Sequence, residues 1–208
     1  MFDLDGTLVD SARDLATAVN ATLARVAPEA PPLPLSTVRA FVGDGAGVLV
    51  ARTLTRVGLS LSAEEVLPIF LERYAACLLE STVLYPGVRE ALDALRPRLL
   101  AVLSNKPGNM SRAILAGLGV AERFFRIYGG GDLPTRKPDP GGLNRLLADA
   151  GVTREEAVLV GDSAVDVRTG RAAGVRTVGV TYGLDSDGLR REEPDHLLSD
   201  LRDLIPLV

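Results

Sequence analysis

The 208-residue chain holds one cysteine, one histidine and two lysines, and each scarcity removes a class of chemistry. A lone Cys77 permits no intrachain disulfide and no cysteine-ligated metal cluster. Its helical context, Tyr74-Ala75-Ala76-Cys77-Leu78-Leu79, reads as a buried structural thiol without the phosphate-binding loop that a thiolate nucleophile needs. His196, in Pro194-Asp195-His196, belongs to a solvated loop, and a sole histidine there is no histidine-nucleophile site. No apolar run reaches the roughly 18 residues that span a bilayer, and the N-terminus has neither the basic nor the apolar region of a signal peptide. An excess of positive charge is also missing. A net charge of −4 and a pI near 5.1 argue against nucleic-acid or anionic-membrane partners. These absences point to the cytoplasm. Apart from a proline cluster there is no low-complexity tract and no internal repeat, while 47% hydrophobic and 24% charged residues suit one large domain or a core with a modest insert.

What is present is acidic and localised. The chain begins Met1-Phe2-Asp3-Leu4-Asp5-Gly6-Thr7, an apolar lead into two carboxylates two residues apart. On a strand, side chains of alternate residues share a face, so Asp3 and Asp5 would lie together with Gly6 turning the chain away. Far downstream stands Gly161-Asp162-Ser163-Ala164-Val165-Asp166. Three acids converging on one point repel one another unless a hard divalent cation such as Mg2+ sits among them, with room left for a phosphate. Of 23 basic residues, 21 are arginine; the two lysines, Lys106 and Lys137, mark places that need a compact ammonium on a flexible stem in place of a planar fork.

Apolar runs ending in polar residues or glycine predict strands at Phe2–Asp5, Leu99–Asn105, Arg126–Gly130, Ala157–Asp162 and Arg176–Thr181, with helices between. That alternation implies an α/β fold with a doubly wound, Rossmann-like parallel sheet, whose ligands bind at the carboxyl ends of the strands. Asp3, Ser104 and Asp162 all fall at such ends. The interval from Ser11 to Leu84 has no good strand. Ser11 and Asp14 suit the start of a helix carrying Leu15, Val19 and Leu23; Pro28, Pro31, Pro32 and Pro34 break it. Further helices are expected at Ser36–Phe41, Ala46–Val57 and Ala63–Ser81. The reading is an all-helical cap, residues 11–84, inserted after the first strand of a core formed by 1–10 and 85–208, with linkers at Val9–Ser11 and Thr82–Gly87 that let it open and close.

Seven segments carry a resemblance over nearly the whole chain: Phe2 to Ser11, Val42-Gly43-Asp44-Gly45-Ala46, Tyr85-Pro86-Gly87-Val88, Ser104-Asn105-Lys106-Pro107, Lys137-Pro138-Asp139-Pro140, Gly161 to Asp166, and Val180-Thr181-Tyr182-Gly183. Together they resemble the haloacid dehalogenase superfamily of phosphatases, in its phosphoglycolate phosphatase branch with a helical cap. The resemblance implies strand order 5-4-1-2-3. It implies Asp3 as the nucleophile on phosphorus, Asp5 as general acid and then base, and Mg2+ held by Asp3, Asp162 and the Asp5 main-chain carbonyl. Asp166 would hold a metal-bound water or Lys137. Ser104, the Asn105 backbone and Lys137 would meet the phosphoryl oxygens. Thr7 would bond the nucleophile or shape the turn, and Ser163 would cap the following helix.

The substrate implied is a small phosphomonoester, first 2-phosphoglycolate, with another sugar phosphate or pyrophosphate as alternatives. A phosphomutase of the same fold and a non-catalytic binding module are the other classes, and the protein would act as monomer or homodimer. Phosphoglycolate carries a carboxylate beyond its phosphate, for which Lys106 is the first candidate partner and Arg39 and Arg52 weaker ones. Relatives carry an apolar segment before the Phe-Asp-x-Asp-Gly run, where this chain has only Met1 and Phe2. The expectation is an upstream start codon, a shortened first strand and lowered stability. If Lys137 must be compact, Lys137→Arg will lose most of the turnover despite keeping its charge, and near wild-type turnover would reject that steric argument.

Overall fold

The computed structural model describes residues 1–208. Two strands, β1 (Val9–Asp10) and β2 (Val83–Leu84), bracket the helices α1 (Ala12–Val26), α2 (Leu35–Arg39), α3 (Ala46–Arg56) and α4 (Ala63–Cys77). After β2 the chain alternates: α5 (Val88–Ala94), β3 (Ala101–Pro107), α6 (Gly108–Gly117), β4 (Arg126–Gly130), α7 (Gly141–Ala150), β5 (Val158–Gly161), α8 (Ala164–Ala173), β6 (Arg176–Val180), α9 (Ser186–Arg191) and β7 (His196–Leu198). The strands are short runs rich in Val, Leu and Ala, buried as a parallel sheet covered on both faces requires.

Pairing is parallel throughout the main sheet: β3 with β4, β5 with β6, and β6 with β7. Phe2 joins the two halves, bridging Val102 of β3 on one side and Val160 of β5 on the other. The Phe2 amide donates to Ala101 and the Leu103 amide to Phe2, while the Asp3 amide donates to Val160 and the Val160 amide to Met1, all at 2.9 Å. The order across the sheet is therefore β4, β3, the Met1–Asp3 rung, β5, β6, β7.

The N-terminal segment departs from the expected strand over Phe2–Asp5. Its ladder stops at Asp3. The Leu4 carbonyl accepts from Thr7, Leu8 and Val9, and the Gly6 amide donates to the Val9 carbonyl, which coils Leu4–Val9 into a tight turn. Gly6 makes the turn with φ +88°, a region open to glycine and costly for other residues. Asp3 thus ends the rung, whereas Asp5 projects from the turn beyond it. β7 was not foreseen: three residues behind Pro194 at a sheet edge carry too little period-2 pattern to stand out.

Helices α1–α4 enclose their own apolar core. Val66, Phe70, Tyr74 and Cys77 of α4 recur at helical spacing and face Leu15, Val19 and Leu23 of α1 and Leu49, Val50 and Leu54 of α3. Each such large side chain contributes about 1.5–3 kcal/mol by leaving water. Below, a larger core surrounds Phe2, Leu4, Leu92, Val102, Ile114 and Val160. The two connections between these cores run side by side, with Val9 opposite Leu84 and Asp10 opposite Val83.

Asp14 locks that double connection. Its carboxylate, fully buried in the first turn of α1, accepts from the Ser81 amide at 2.9 Å, the Thr82 amide at 2.8 Å and the Thr82 hydroxyl at 2.6 Å. This capture also explains why α4 ends at Cys77 and not at the expected Ser81, since amides held by a carboxylate cannot continue the helical ladder. Removing the acceptor leaves two buried donors, the Thr82 amide and hydroxyl, unpaired at about 1–3 kcal/mol each, together with the exposed Ser81 amide that water can reach. Asp14→Ala should lower stability by at least about 2 kcal/mol in denaturant unfolding; an unchanged midpoint would contradict a structural role for this clamp.

Candidate active site

The carboxyl ends of the central strands converge on a buried cluster of charge. Asp3 ends the first rung, Asp162 follows β5, and Asp166 lies in the first turn of α8. Oxygens from all three come within 4.8 Å of one another. Lys137 enters from the loop before α7, placing its Nζ 2.8 Å from Asp3 Oδ1 and 2.6 Å from Asp166 Oδ1. All four side chains are buried.

Local hydrogen bonds fix each acid. Asp166 Oδ2 accepts from the Ser163 hydroxyl at 2.6 Å and its amide at 3.2 Å, closing a capping box at the start of α8. Asp162 Oδ1 accepts from the Thr7 hydroxyl at 3.2 Å and Oδ2 from the Leu184 amide at 2.6 Å. Of the two roles expected for Thr7, its amide takes part in the turn by donating to the Leu4 carbonyl, while its hydroxyl bonds Asp162 and not Asp3. A Cβ on Gly6 would lie 2.0 Å from Asp162 Oδ2, so this glycine is required by the close approach as well as by its φ. Asp3 is held differently: its close partner is the Lys137 ammonium, 2.8 Å from Oδ1.

Burial, reinforced by Asp166 and Asp5 and only partly offset by Lys137, raises the Asp3 carboxyl to about 6. Burial, then Asp166 and Asp3, pushes Asp162 well above the usual carboxylate range. Burial alone would lower Lys137, but Asp166 and Asp3 outweigh it and raise the ammonium further. The donor set is all oxygen, gathers three carboxylates within 4.8 Å and has one ammonium, Lys137, to balance them. Those are the properties that a hard divalent cation satisfies, so the residues fit Mg2+.

A second cluster lies beside the first. Lys106, at the end of β3, places Nζ 2.8 Å from both Asp5 carboxylate oxygens, and the Ser11 hydroxyl donates to Asp5 Oδ1. The ammonium also stands 4.7 Å from the centroid of the Tyr74 ring. Lys106 was expected to stand free for a substrate carboxylate; in this structure its main partner is Asp5. Ser104 lines the same pocket, and its hydroxyl accepts the Lys106 amide at 3.3 Å. The Asn105 side chain ties the site together: its amide nitrogen donates to the carbonyls of Lys137, at 3.0 Å, and Gly43, at 3.1 Å, and its oxygen accepts the Lys137 amide at 2.9 Å.

Arg39 and Arg52 are not brought to this pocket. Arg39 donates to the Gly183 carbonyl at 2.8 Å, tying α2 to the loop after β6. Arg52 pairs with Asp44 and lies along a separate open groove. Ser11 and Tyr74 went unrecognised as site residues because one reads as a helix cap and the other as core. Only tertiary packing turns them toward Asp5 and Lys106.

The pocket draws on both layers: Asp3, Asp5, Ser104, Asn105 and Lys106 from below, Leu15, Val42, Gly43, Leu49, Phe70 and Tyr74 from the helices above. The family model of the haloacid dehalogenase-like hydrolases matches residues 1–180. The chain belongs to that family. Among its relatives, the phosphoglycolate phosphatase of Pseudomonas putida is 42% identical, over 99% of this chain and 78% of its own length. That of Rhodospirillum rubrum is 43% identical, over 88% of this chain and 79% of its own. A crystal structure described as a predicted phosphoglycolate phosphatase from Haemophilus somnus superposes with a TM-score of 0.90 at 32% identity, covering 99% of this chain and 95% of that one. As in other hydrolases of the family, the sheet is Rossmann-like, with mixed helices and parallel strands.

Raised carboxyl values in the metal-free fold carry a sign. The folded protein binds protons at Asp3 and Asp162 that the unfolded chain has already lost, so this contribution to stability weakens as pH rises from about 4 through 6. Mg2+ would compensate where the acids are ionised. Its increment in melting temperature should thus be larger at pH 7.5 than at pH 5; equal increments at both would contradict metal binding by these raised acids.

Proposed function

We propose that this protein is a Mg2+-dependent phosphatase that hydrolyses 2-phosphoglycolate to glycolate and phosphate through an aspartyl phosphate on Asp3. Its enzyme class follows from its relatives: it is a phosphoric monoester hydrolase. The observation that supports the finer reading is the buried Asp3 Oδ1, which meets the Lys137 ammonium at 2.8 Å inside a cluster shared with Asp162 and Asp166. That oxygen is dry and faces an ammonium, so the charge that holds the nucleophile in place also lets a dianion approach it.

Asp3, Asp162 and the main-chain carbonyl of Asp5 would hold Mg2+. The ion would neutralise the carboxylates and the charge that gathers on the phosphoryl oxygens. Asp3 attacks phosphorus; the bond from phosphorus to the alkoxide oxygen breaks as Asp5 gives that oxygen its proton. Water then attacks the same phosphorus, Asp5 takes the water's proton, and phosphate departs with Asp3 restored. Lys137 meets the phosphoryl charge while Asp166 fixes its position. Ser104 and the amides that follow it line the phosphate side of the pocket. Ser11 and Lys106 orient Asp5, so Lys106 serves the acid–base residue as well as the substrate carboxylate.

In this reading residues 11–84 act as the cap and 1–10 with 85–208 as the hydrolase core. The bonds from Asn105 to Gly43 and from Arg39 to Gly183 hold the cap shut, which excludes bulk water while the leaving group departs. The protein works on a small metabolite in the cytoplasm, as monomer or homodimer. A phosphatase for a sugar phosphate or pyrophosphate and a phosphomutase are the competing readings.

A phosphate-release screen over small phosphomonoesters, with and without Mg2+, tests this directly. Mg2+-dependent release from phosphoglycolate should exceed that from every sugar phosphate, and Asp3→Asn should lower it by about a thousandfold or more. A sugar phosphate turned over faster would replace the proposed substrate, and an undiminished Asp3→Asn enzyme would remove the covalent mechanism.

A further inference from the structure

One side chain in the pocket is expensive where it stands. Tyr74, on α4, is 1% exposed, and its hydroxyl is buried without a hydrogen-bond partner. The ring is set rigidly, stacked on Phe70 with centroids 5.7 Å apart and planes 17° from parallel. A phenylalanine would fill this space equally well and leave no unsatisfied donor. Its polar neighbour in the fold is the Lys106 ammonium, itself a donor, so the phenol proton has no acceptor; a buried donor left unpaired costs stability, and its use lies with something that enters the pocket.

The surroundings define what that is. Tyr74 shares the pocket with Lys106, whose ammonium stands over the ring. Lys106 has three donors, and Asp5 engages it through two oxygens. No arginine lines this pocket, and the helical side contributes mainly Leu15, Val42, Ala46, Leu49 and Phe70. Beyond the Asp3 cluster and the core-side Ser104 and Asn105, the side-chain donors lining the pocket are one ammonium and one phenol in an apolar frame. Such a frame offers a compact anion two strong partners and offers the many hydroxyls of a sugar almost none.

We infer that Tyr74 is a specificity residue: with Lys106 it forms a subsite for the substrate's carboxylate, which α4 brings over the phosphate site when the cap is shut. The inference rests on phosphoglycolate as substrate and names the group that selects it. A carboxylate accepts the phenol proton in a charge-assisted bond, so the donor that is idle in the free enzyme is used only in the complex. Selectivity then belongs to the closed state, because Tyr74 comes from the cap and the phosphate site from the core.

Ethyl phosphate replaces the carboxylate of phosphoglycolate by a methyl group and serves as the comparison. In the Tyr74→Phe enzyme, the ratio of kcat/KM for phosphoglycolate to that for ethyl phosphate should fall about tenfold or more, chiefly through a higher KM for phosphoglycolate. Its melting temperature without substrate should equal or exceed that of the wild type. An unchanged ratio, or a lower melting temperature with equal losses on both esters, would make Tyr74 a packing residue and overturn the inference while leaving the phosphatase reading intact. A wild-type enzyme that hydrolyses ethyl phosphate but prefers no carboxylated ester would instead overturn the substrate reading, and the inference with it.

Discussion

The structure turns on a charge imbalance. Three carboxylates, Asp3, Asp162 and Asp166, share a buried site with a single ammonium, Lys137. Like charges that close cannot all remain ionised in a low-dielectric interior unless more positive charge arrives. Protonation is one answer, and the raised Asp3 and Asp162 carboxyls express it. A divalent cation would be the other, and under the proposed function it would let the same cluster grip phosphate. Much of the fold exists to hold that imbalance in place: a rung of sheet at Phe2, a glycine pressed against Asp162, a capping box at Asp166 and the Asn105 clamp on Lys137.

The helical layer above is coupled to this cluster through few contacts, each placed where it matters. Asn105 reaches Gly43, Arg39 reaches Gly183, and Tyr74 lies against Lys106. Met110 of α6 also packs among the helical layer's apolar residues, and the connection itself is secured by β1 with β2 and by Asp14. Under the proposed function, the paired connection would serve as the hinge about which the helical layer opens and recloses.

Much of this was legible in the sequence, for identifiable reasons. The acids at positions 3, 5, 162 and 166 stand at the ends of apolar runs, and strand ends meet in a doubly wound sheet whatever the loops do. The two lysines drew notice because every other basic residue is arginine. Partnership was harder to read. Whether Lys106 turns to substrate or to Asp5, and whether Thr7 serves Asp3 or Asp162, depends on rotations of single side chains over a turn whose shape the expected strand at Phe2–Asp5 did not contain. Ser11, Asp14 and Tyr74 satisfy ordinary helical roles in sequence, as cap, first-turn acid and core aromatic. Their further tasks arise only from residues 6 to 68 positions away, a range that local patterning does not encode.

The most direct test is calorimetric titration of Mg2+ into the purified protein at neutral pH, beside the Asp162→Asn variant. The account predicts one Mg2+ per chain, with binding abolished in the variant while its circular dichroism spectrum and cooperative unfolding persist. A wild-type protein that takes up no Mg2+, or a variant that binds it equally well, would contradict the claim that these converging acids form a metal site.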